Sequence, residues 1–389
     1  GKGRSRMIIA ELPSKDSVHR YNNCIVVPFS GKRRVLSTSP LNGGYQEKLT
    51  AVFNNDMNPG PGMACRMLAD TYEKHLEKMA EELGLDPETS SGISTSASME
   101  NVSIHTERFR ETAVTAVVTA GIEVNGGRVG DPASWSEVNG QAAPVRSGTI
   151  NILLFFNVDL SRGALARALV TCTEAKTAAL QELLAPSRYS TGLATGSGTD
   201  GTIVVCDAEA SACLTDAGKH SKLGELIGKS VMGAVKEALQ LQTGLSAETQ
   251  HDVLRRTDRF GITEQSLWES FRERTTAVSR ADFSDRLFRI RRQNRLVTMV
   301  SLYVHLMDQL LWGLLSAEEV LTAGRNLLCG MRKPDTEAAR SVWREEGCVL
   351  AGGREKNAPE TEIAGAEGDA ALAAMICDLK EFLNSLILE

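Results

Sequence analysis

Apolar and polar positions follow two different rhythms along the first 245 residues. Short β-branched runs, "CIVVPF" (24–29) and "RRVLST" (33–38), flank "SGK" and predict a hairpin. "NVSIHTE", "AVTAVVTAGIEV" and "TINILLFFNVDL" predict longer strands, the last with so little alternation that both of its faces should be buried. Ser161 stands where a helix N-cap belongs, and the stretch after it has apolar residues at Leu165, Leu169, Cys172, Ala179, Leu180, Leu183 and Leu184, close to helical spacing, until Pro186 ends it. A second helix is expected from Lys222 to Gly244, a suitable C-terminal glycine. A sheet core with helices, an α+β domain over 1–245, follows.

From 246 the β pattern stops, and 246–350 reads as a separate all-α domain. Its most apolar window, "LVTMVSLYVHLMDQLLWGLL" (296–315), has the length of a membrane span, but His305, Asp308 and Gln309 near its middle predict a buried helix instead. Residues 351–370 lack an apolar period and read as a linker or mobile loop. In 371–389, Leu372, Met375, Ile376, Leu379, Phe382, Leu383 and Leu386 form one apolar face of an amphipathic helix. That face must dock, on the N-terminal domain or on a second subunit, so a homo-oligomer through the C-terminal helices is one expectation.

Charge narrows the partners. Lys plus Arg total 43 against 49 Asp plus Glu, a net charge of -6, which leaves no electrostatic footprint for nucleic acid. The basic start "GKGRSR" precedes an apolar stretch of only about four residues, too short for a secretory core, so a cytoplasmic protein without a membrane span is expected. Eight cysteines without a C-x-x-C pair read as reduced thiols, and the absence of zinc spacing or H-E-x-x-H suggests no metal site.

The candidate chemistry centres on "GLATGSGTDGTIVV" (192–205). A phosphate-binding P-loop runs strand, loop, helix and carries a Lys after its last glycine. Here the order is helix, loop, strand, and that Lys is missing. Two readings remain. The glycines are turn punctuation, or they let a backbone approach a ligand lined by Thr195, Ser197, Thr199 and Asp200. Glu174 and Lys176 lie about 200 degrees apart on the first helix, so they do not pair with each other; they belong to a solvated face, or one of them turns into a cleft. His220 precedes the second helix as a surface or capping residue, or as a base that a shared sheet end brings to Asp200. Asn42, Asn125 and Asn151 sit in Asn/Gly-rich turns that, taken together, suit a ligand decorated with amides.

Six stretches in this order, "VLSTSPLNGG", "VTAGIEVNGGRVGDP", "GTINILL", "TEAKTAALQEL", "LATGSGTDGTIVV" and "AGKHSKLGELIG", resemble the adenosylcobinamide amidohydrolases of the CbiZ family, from about Tyr21 to Leu241. The matching positions are Asn42, Gly43, Gly44, Asn125, Gly130, Asp131, Thr149, Asn151, Thr173, Glu174, Lys176, Thr195, Gly196, Gly198, Thr199, Asp200, Gly218, His220, Lys222, Gly224 and Glu225. Ser197 stands where the family usually has Thr. The resemblance implies hydrolysis of the amide between a corrin-ring propionate and aminopropanol, converting adenosylcobinamide to adenosylcobyric acid in corrinoid salvage. No cofactor is implied beyond the cobalt that the substrate itself carries.

On this basis Asp200 and His220 are expected as an acid/base pair, with Glu174 a second base, and water or the Thr199 hydroxyl as nucleophile. Lys176 or Asn151 would stabilise the oxyanion. Substrate binding falls to Asn42, Gly43, Gly44, Asn125, Asp131, Thr149, Asn151, Thr195 and Ser197. The alternative is a corrinoid-binding protein without hydrolysis, associated with corrinoid uptake or partner proteins, for which His305 is either a cobalt ligand or an internally bonded core histidine. A fainter resemblance, to self-processing aminopeptidases, implies an α-β-β-α sandwich and an internal N-terminal nucleophile.

Overall fold

The computed structural model describes residues 6–58, 60, 65–133, 148–332 and 363–388. The chain divides into two compact units, Gly1–Ala247 and Glu248–Glu389. In order, the first unit contains β1 (Met7–Glu11), β2 (Ser17–Tyr21), β3 (Cys24–Pro28), β4 (Arg33–Ser37), β5 (Gly44–Gln46), β6 (Ala51–Asp56), α1 (Tyr72–Glu82), β7 (Ser90–Thr95), β8 (Ser103–Phe109) and β9 (Thr112–Gly121). Then follow β10 (Gly126–Gly127), β11 (Thr149–Phe156), β12 (Asp159–Leu160), α2 (Arg162–Glu182), β13 (Gly196–Ser197), β14 (Gly201–Asp207), β15 (Cys213–Leu214) and α3 (Lys222–Thr243).

Two sheets carry the unit. One has the order β1-β2-β3-β6-β7, the other β5-β4-β14-β11-β9-β8. Alternation sorts the side chains of each strand. On β11, Ile150, Ile152, Leu154 and Phe156 pack under α2 and α3, whereas Leu153 and Phe155 meet Val27, Val52 and Ile93 of the other sheet. On the far side, Val26 and Phe53 pack against Leu76, Met79 and Ala80 of α1. The layers are therefore α2 and α3, sheet, sheet, α1. This is the α-β-β-α sandwich of an α+β fold, and β11 is buried along both faces as its unalternating pattern predicts.

The helix ends obey local chemistry. Ser161 accepts from the Ala164 amide and Ser221 from the Gly224 amide, and Gly244 closes α3 at φ 72. The expected hairpin of 24–29 with 33–38 does not form. β3 pairs with β2 and β6 in one sheet, while β4 pairs with β14 and β5 in the other. The crossing is held by Arg33, 3 % exposed, which donates to Asp16 and to Asp207 at 2.9 Å each. A buried guanidinium needs carboxylates, and these lie on either side of the crossing.

The second unit is helical: α4 (Val253–Thr257), α5 (Glu264–Arg272), α6 (Arg280–Ile290), α7 (Asn294–Leu311), α8 (Ala317–Arg332) and α9 (Ile363–Leu388). Its core joins Phe271, Phe283, Tyr303, Met307, Leu379 and Phe382. α7 is a helix of the bundle, as expected, and buries one face, with Leu296, Val300, Tyr303 and Met307 in the core. His305 is exposed rather than a core residue, as are Leu302 and Leu311, while Asp308 is buried and pairs with Arg259. Residues 363–370 are the first turns of α9, so the expected linker ends earlier than 370, and its remainder, 351–362, lies outside the described residues, as does the basic start at 1–5. Among the described residues, no helix is long and apolar enough to cross a membrane.

Candidate functional site

The glycine-rich loop is pinned before it reaches β14. Its Gly196–Ser197 step pairs antiparallel with Gly126–Gly127, the Thr195 amide donates to Gly127 O at 2.9 Å, and Thr177 Oγ1 of α2 donates to Thr195 O at 3.2 Å. Loop, α2 and the 125–133 turn together line an open cavity of about 980 Å³. That is the upper end of the range of about 300–1,000 Å³ common for small-molecule sites. Asn125, Asp131, Lys176, Thr195, Ser197, Thr199 and Asp200 line it, as expected from sequence, with Arg128, Tyr189 and Thr177 beside them.

Asp200 is the most heavily bonded group in the wall. Its Oδ2 accepts from Lys176 Nζ at 2.6 Å and from the Ser197 amide at 2.9 Å; its Oδ1 accepts from Ser197 Oγ at 2.6 Å and from the Ile150 amide at 2.9 Å. The Lys176 and Asp200 side chains are 12 % and 11 % exposed. An ion pair so little exposed holds only when further hydrogen bonds satisfy it, and here the loop supplies them. Glycine is required at 196, because a Cβ there would stand 2.3 Å from Asp200 Oδ2 and 2.9 Å from Lys176 Nζ.

Around this pair the wall is rich in neutral groups. Asn125 donates to Gly148 O at 3.0 Å and accepts from the Tyr189 hydroxyl at 2.7 Å. The Thr199 hydroxyl meets Thr149 Oγ1 and Gly148 O. At the rim, burial works against the charge on Asp131, but hydrogen bonds from Ser187, Ser190 and the Arg128 amide outweigh it and hold its carboxyl below the usual range.

Several expectations need correction. His220 does not meet Asp200: it is exposed in the turn ahead of α3 and is not part of the cavity wall. Glu174 points out to solvent and pairs with Lys219 at 2.8 Å. Asn151 is fully buried between the sheets, donating to Asn54 Oδ1 and Ser94 O and accepting from the Gly201 amide, so it has no group left for an oxyanion. Asn42 donates to Pro87 O and Ser90 O at 2.7 Å each, and a Cβ on Gly43 would strike Ser39 O at 2.0 Å. Gly44 has φ 71. The 42–44 stretch is thus turn chemistry away from the cavity. Thr149 touches the site only through Thr199.

Arg128 and Tyr189 were not singled out from the sequence. The signal for Tyr189 is weak, because nothing local marks an aromatic after a helix stop as a cavity wall. Arg128 follows the Gly126–Gly127 step whose pairing with the loop brings it in.

A hydroxyl hydrogen-bonded to a carboxylate that an ammonium group also holds, facing a cavity of this size, is a grouping suited to acyl transfer. The profile of the adenosylcobinamide amidohydrolase family (CbiZ) matches residues 9–247, and the chain belongs to that family. It is 34 % identical over 235 residues, 58 % of this chain and 88 % of the other, to an uncharacterized protein of Methanocaldococcus jannaschii. A crystal structure of a protein from Pyrococcus horikoshii aligns over 67 % of this chain and 91 % of its own, at 13 % identity and a TM-score of 0.31, too low to support any argument.

Proposed function

We propose that the first unit hydrolyses the amide between aminopropanol and the corrin-ring propionate of adenosylcobinamide, yielding adenosylcobyric acid for corrinoid salvage. The family assignment supports the substrate class. The carrying observation is the Lys176–Asp200 pair with Ser197 Oγ donating to the same carboxylate.

All four acceptor positions of Asp200 are occupied, so a proton reaches it most directly from Ser197, whose hydroxyl already donates to Oδ1. In this reading Ser197 Oγ attacks the amide carbon and its proton moves to Asp200 Oδ1. Lys176, on the cavity wall, offers its remaining N–H groups to the oxyanion. Collapse breaks the C–N bond, and the departing amine takes the proton from Asp200. Water then attacks the acyl ester, hands a proton to Asp200, and the proton returns to Ser197 Oγ as the acid leaves. Thr199 is the poorer nucleophile, because its neighbours are a backbone carbonyl and a second hydroxyl, neither of which takes up a proton. We assign Thr199 and Asn125 to positioning, and Thr195 and Asp131 to the shape of the rim. The reaction needs no cofactor of the protein's own, and unpaired cysteines among the described residues accord with a reducing, cytoplasmic setting.

The test is direct. Incubated with adenosylcobinamide, the protein should release aminopropanol, and Ser197→Ala should abolish release while still binding the corrinoid. Full activity in that variant overturns the nucleophile; corrinoid binding without release by the unaltered protein favours the non-catalytic reading.

A further inference from the structure

Of the buried polar groups between the two sheets, one cluster touches Asp200. Three polar side chains meet there, Asn54 of β6, Thr119 of β9 and Asn151 of β11, none more than 2 % exposed. Asn54 Nδ2 donates to Thr119 Oγ1 at 2.8 Å, and Asn151 Nδ2 donates to Asn54 Oδ1 at 2.8 Å. Asn151 Oδ1 is left facing β14, where it accepts from the Gly201 amide at 3.1 Å.

Gly201 is the residue after Asp200, and the residue before Asn151, Ile150, donates its amide to Asp200 Oδ1. Both sides of the Asp200 backbone and carboxylate are thereby referenced to residues 150 and 151. There is no slack at this point, since a Cβ on Gly201 would stand 2.9 Å from Asn151 Oδ1 and 2.8 Å from Ile93.

We infer that Asn54 is a positioning residue for the Asp200–Ser197 pair, acting by dictating which way the Asn151 amide is turned. The carboxamide of Asn151 has an acceptor end and a donor end. Only with its donor end held by Asn54 Oδ1 and Ser94 O does its acceptor end meet the Gly201 N–H. Turned over, it would set an NH2 group against that N–H, and the chain at 200–201 would have to move away. A buried polar trio costs desolvation that an apolar trio of the same volume avoids; orienting one amide gives it a use that packing alone does not. Asn55, next along β6, turns to the other face, bonding His75 and Cys24 under α1 and accepting from Ser94 Oγ at 3.3 Å, and it makes no hydrogen bond to Asn151 or Asp200 itself.

This inference rests on the proposed hydrolysis only for its kinetic arm. Asn54→Leu, close in volume, and Asn55→Leu as a comparison for lost stability should both lower the melting temperature. Asn54→Leu alone should reduce kcat for aminopropanol release by on the order of tenfold or more with KM within about twofold, since small displacements of reacting groups are costly. Independently of any substrate, hydrogen exchange at the Ser197 and Gly201 amides should accelerate in Asn54→Leu and not in Asn55→Leu. Equal exchange at these amides in both variants overturns the positioning role whatever the enzyme does. Faster exchange in Asn54→Leu, together with no aminopropanol release by the unaltered protein, upholds the role and overturns the reaction.

Discussion

The two outer faces of the sandwich each end in a polar cluster, and the clusters treat charge in opposite ways. Under α2, Lys176 and Asp200 face one another across 2.6 Å beside an open cavity. Under α1, His75 is 1 % exposed; it accepts the Leu68 amide at Nδ1 and so carries its proton on Nε2, which donates to Asn55 Oδ1. Burial pushes His75 below its ordinary value, the Cys24 thiol up to about 12 and the neighbouring Asp56 carboxyl up to about 6. Where burial dominates, each group is driven toward its neutral form and serves packing. Where a counter-charge lies within hydrogen-bond reach, an ion pair persists at a cavity edge, and it is there that charge developing in a reaction can be met.

The sharpest break of this contrast is removal of the pair. Asp200→Asn and Lys176→Met should each lower aminopropanol release by about 100- to 1,000-fold. Urea unfolding should show a loss of roughly 3 kcal/mol, the scale for leaving one charge of a buried pair without its partner. Next comes Gly196→Ala, whose methyl would intrude on both members of the pair; activity should fall on the order of 100-fold, and the melting temperature should fall less than in Asp200→Asn because both charges are kept.

His75→Leu should do the reverse. It strands the Leu68 amide and leaves Asn55 Oδ1 with the longer bond from Ser94 Oγ at 3.3 Å, so stability should drop by about 2 kcal/mol while kcat of the folded protein is retained. A matching loss of kcat would erase the distinction between the clusters.

The last effect is on pH dependence and leaves the cavity untouched. The Asp56 carboxyl rises from 3.8 to about 6 on folding, so between those values the folded chain holds a proton that the unfolded chain has released. Its contribution therefore declines as pH rises from about 4 to about 6 and stays lost above. His75 acts in the opposite sense: its folded value lies below 6.5, so its contribution is present above 6.5 and is lost as pH falls from there toward the folded value. Melting temperatures from pH 4 to 8 should show Asp56→Asn gaining on the unaltered protein up to about pH 6 and holding a constant lead beyond.

Much of the fold was legible because it is local. Ser161, Ser221 and Gly244 mark helix ends that the structure keeps, and the unbroken apolar run of β11 announced a strand covered on both faces. The glycine-rich loop and Lys176 were also legible as candidates, the loop by its density of hydroxyls and the lysine by its place on an otherwise apolar helix. His220 and Asn151 were misread for a shared reason. Proximity to the loop in sequence order says nothing about which face of a strand or turn a side chain takes, and Asn151 follows the alternation of β11 into the inter-sheet layer beside Leu153 and Phe155. The supposed hairpin failed because strand partners are chosen at long range: Arg33 is tied to Asp207, 174 residues away.

By itself, the sequence determined the family, the elements and the residue types available for chemistry, since these depend on motifs, caps and periods spanning a few residues. Only the tertiary structure decided that Lys176 meets Asp200, that Ser197 donates to the same carboxylate, and that Asn54 reaches Asn151 from 97 residues away. The first needs α2 packed on its sheet, the second needs the loop pinned against Gly126–Gly127, and the third needs the two sheets stacked; the energy that selects that arrangement is the burial of the apolar layers on both sides of β11.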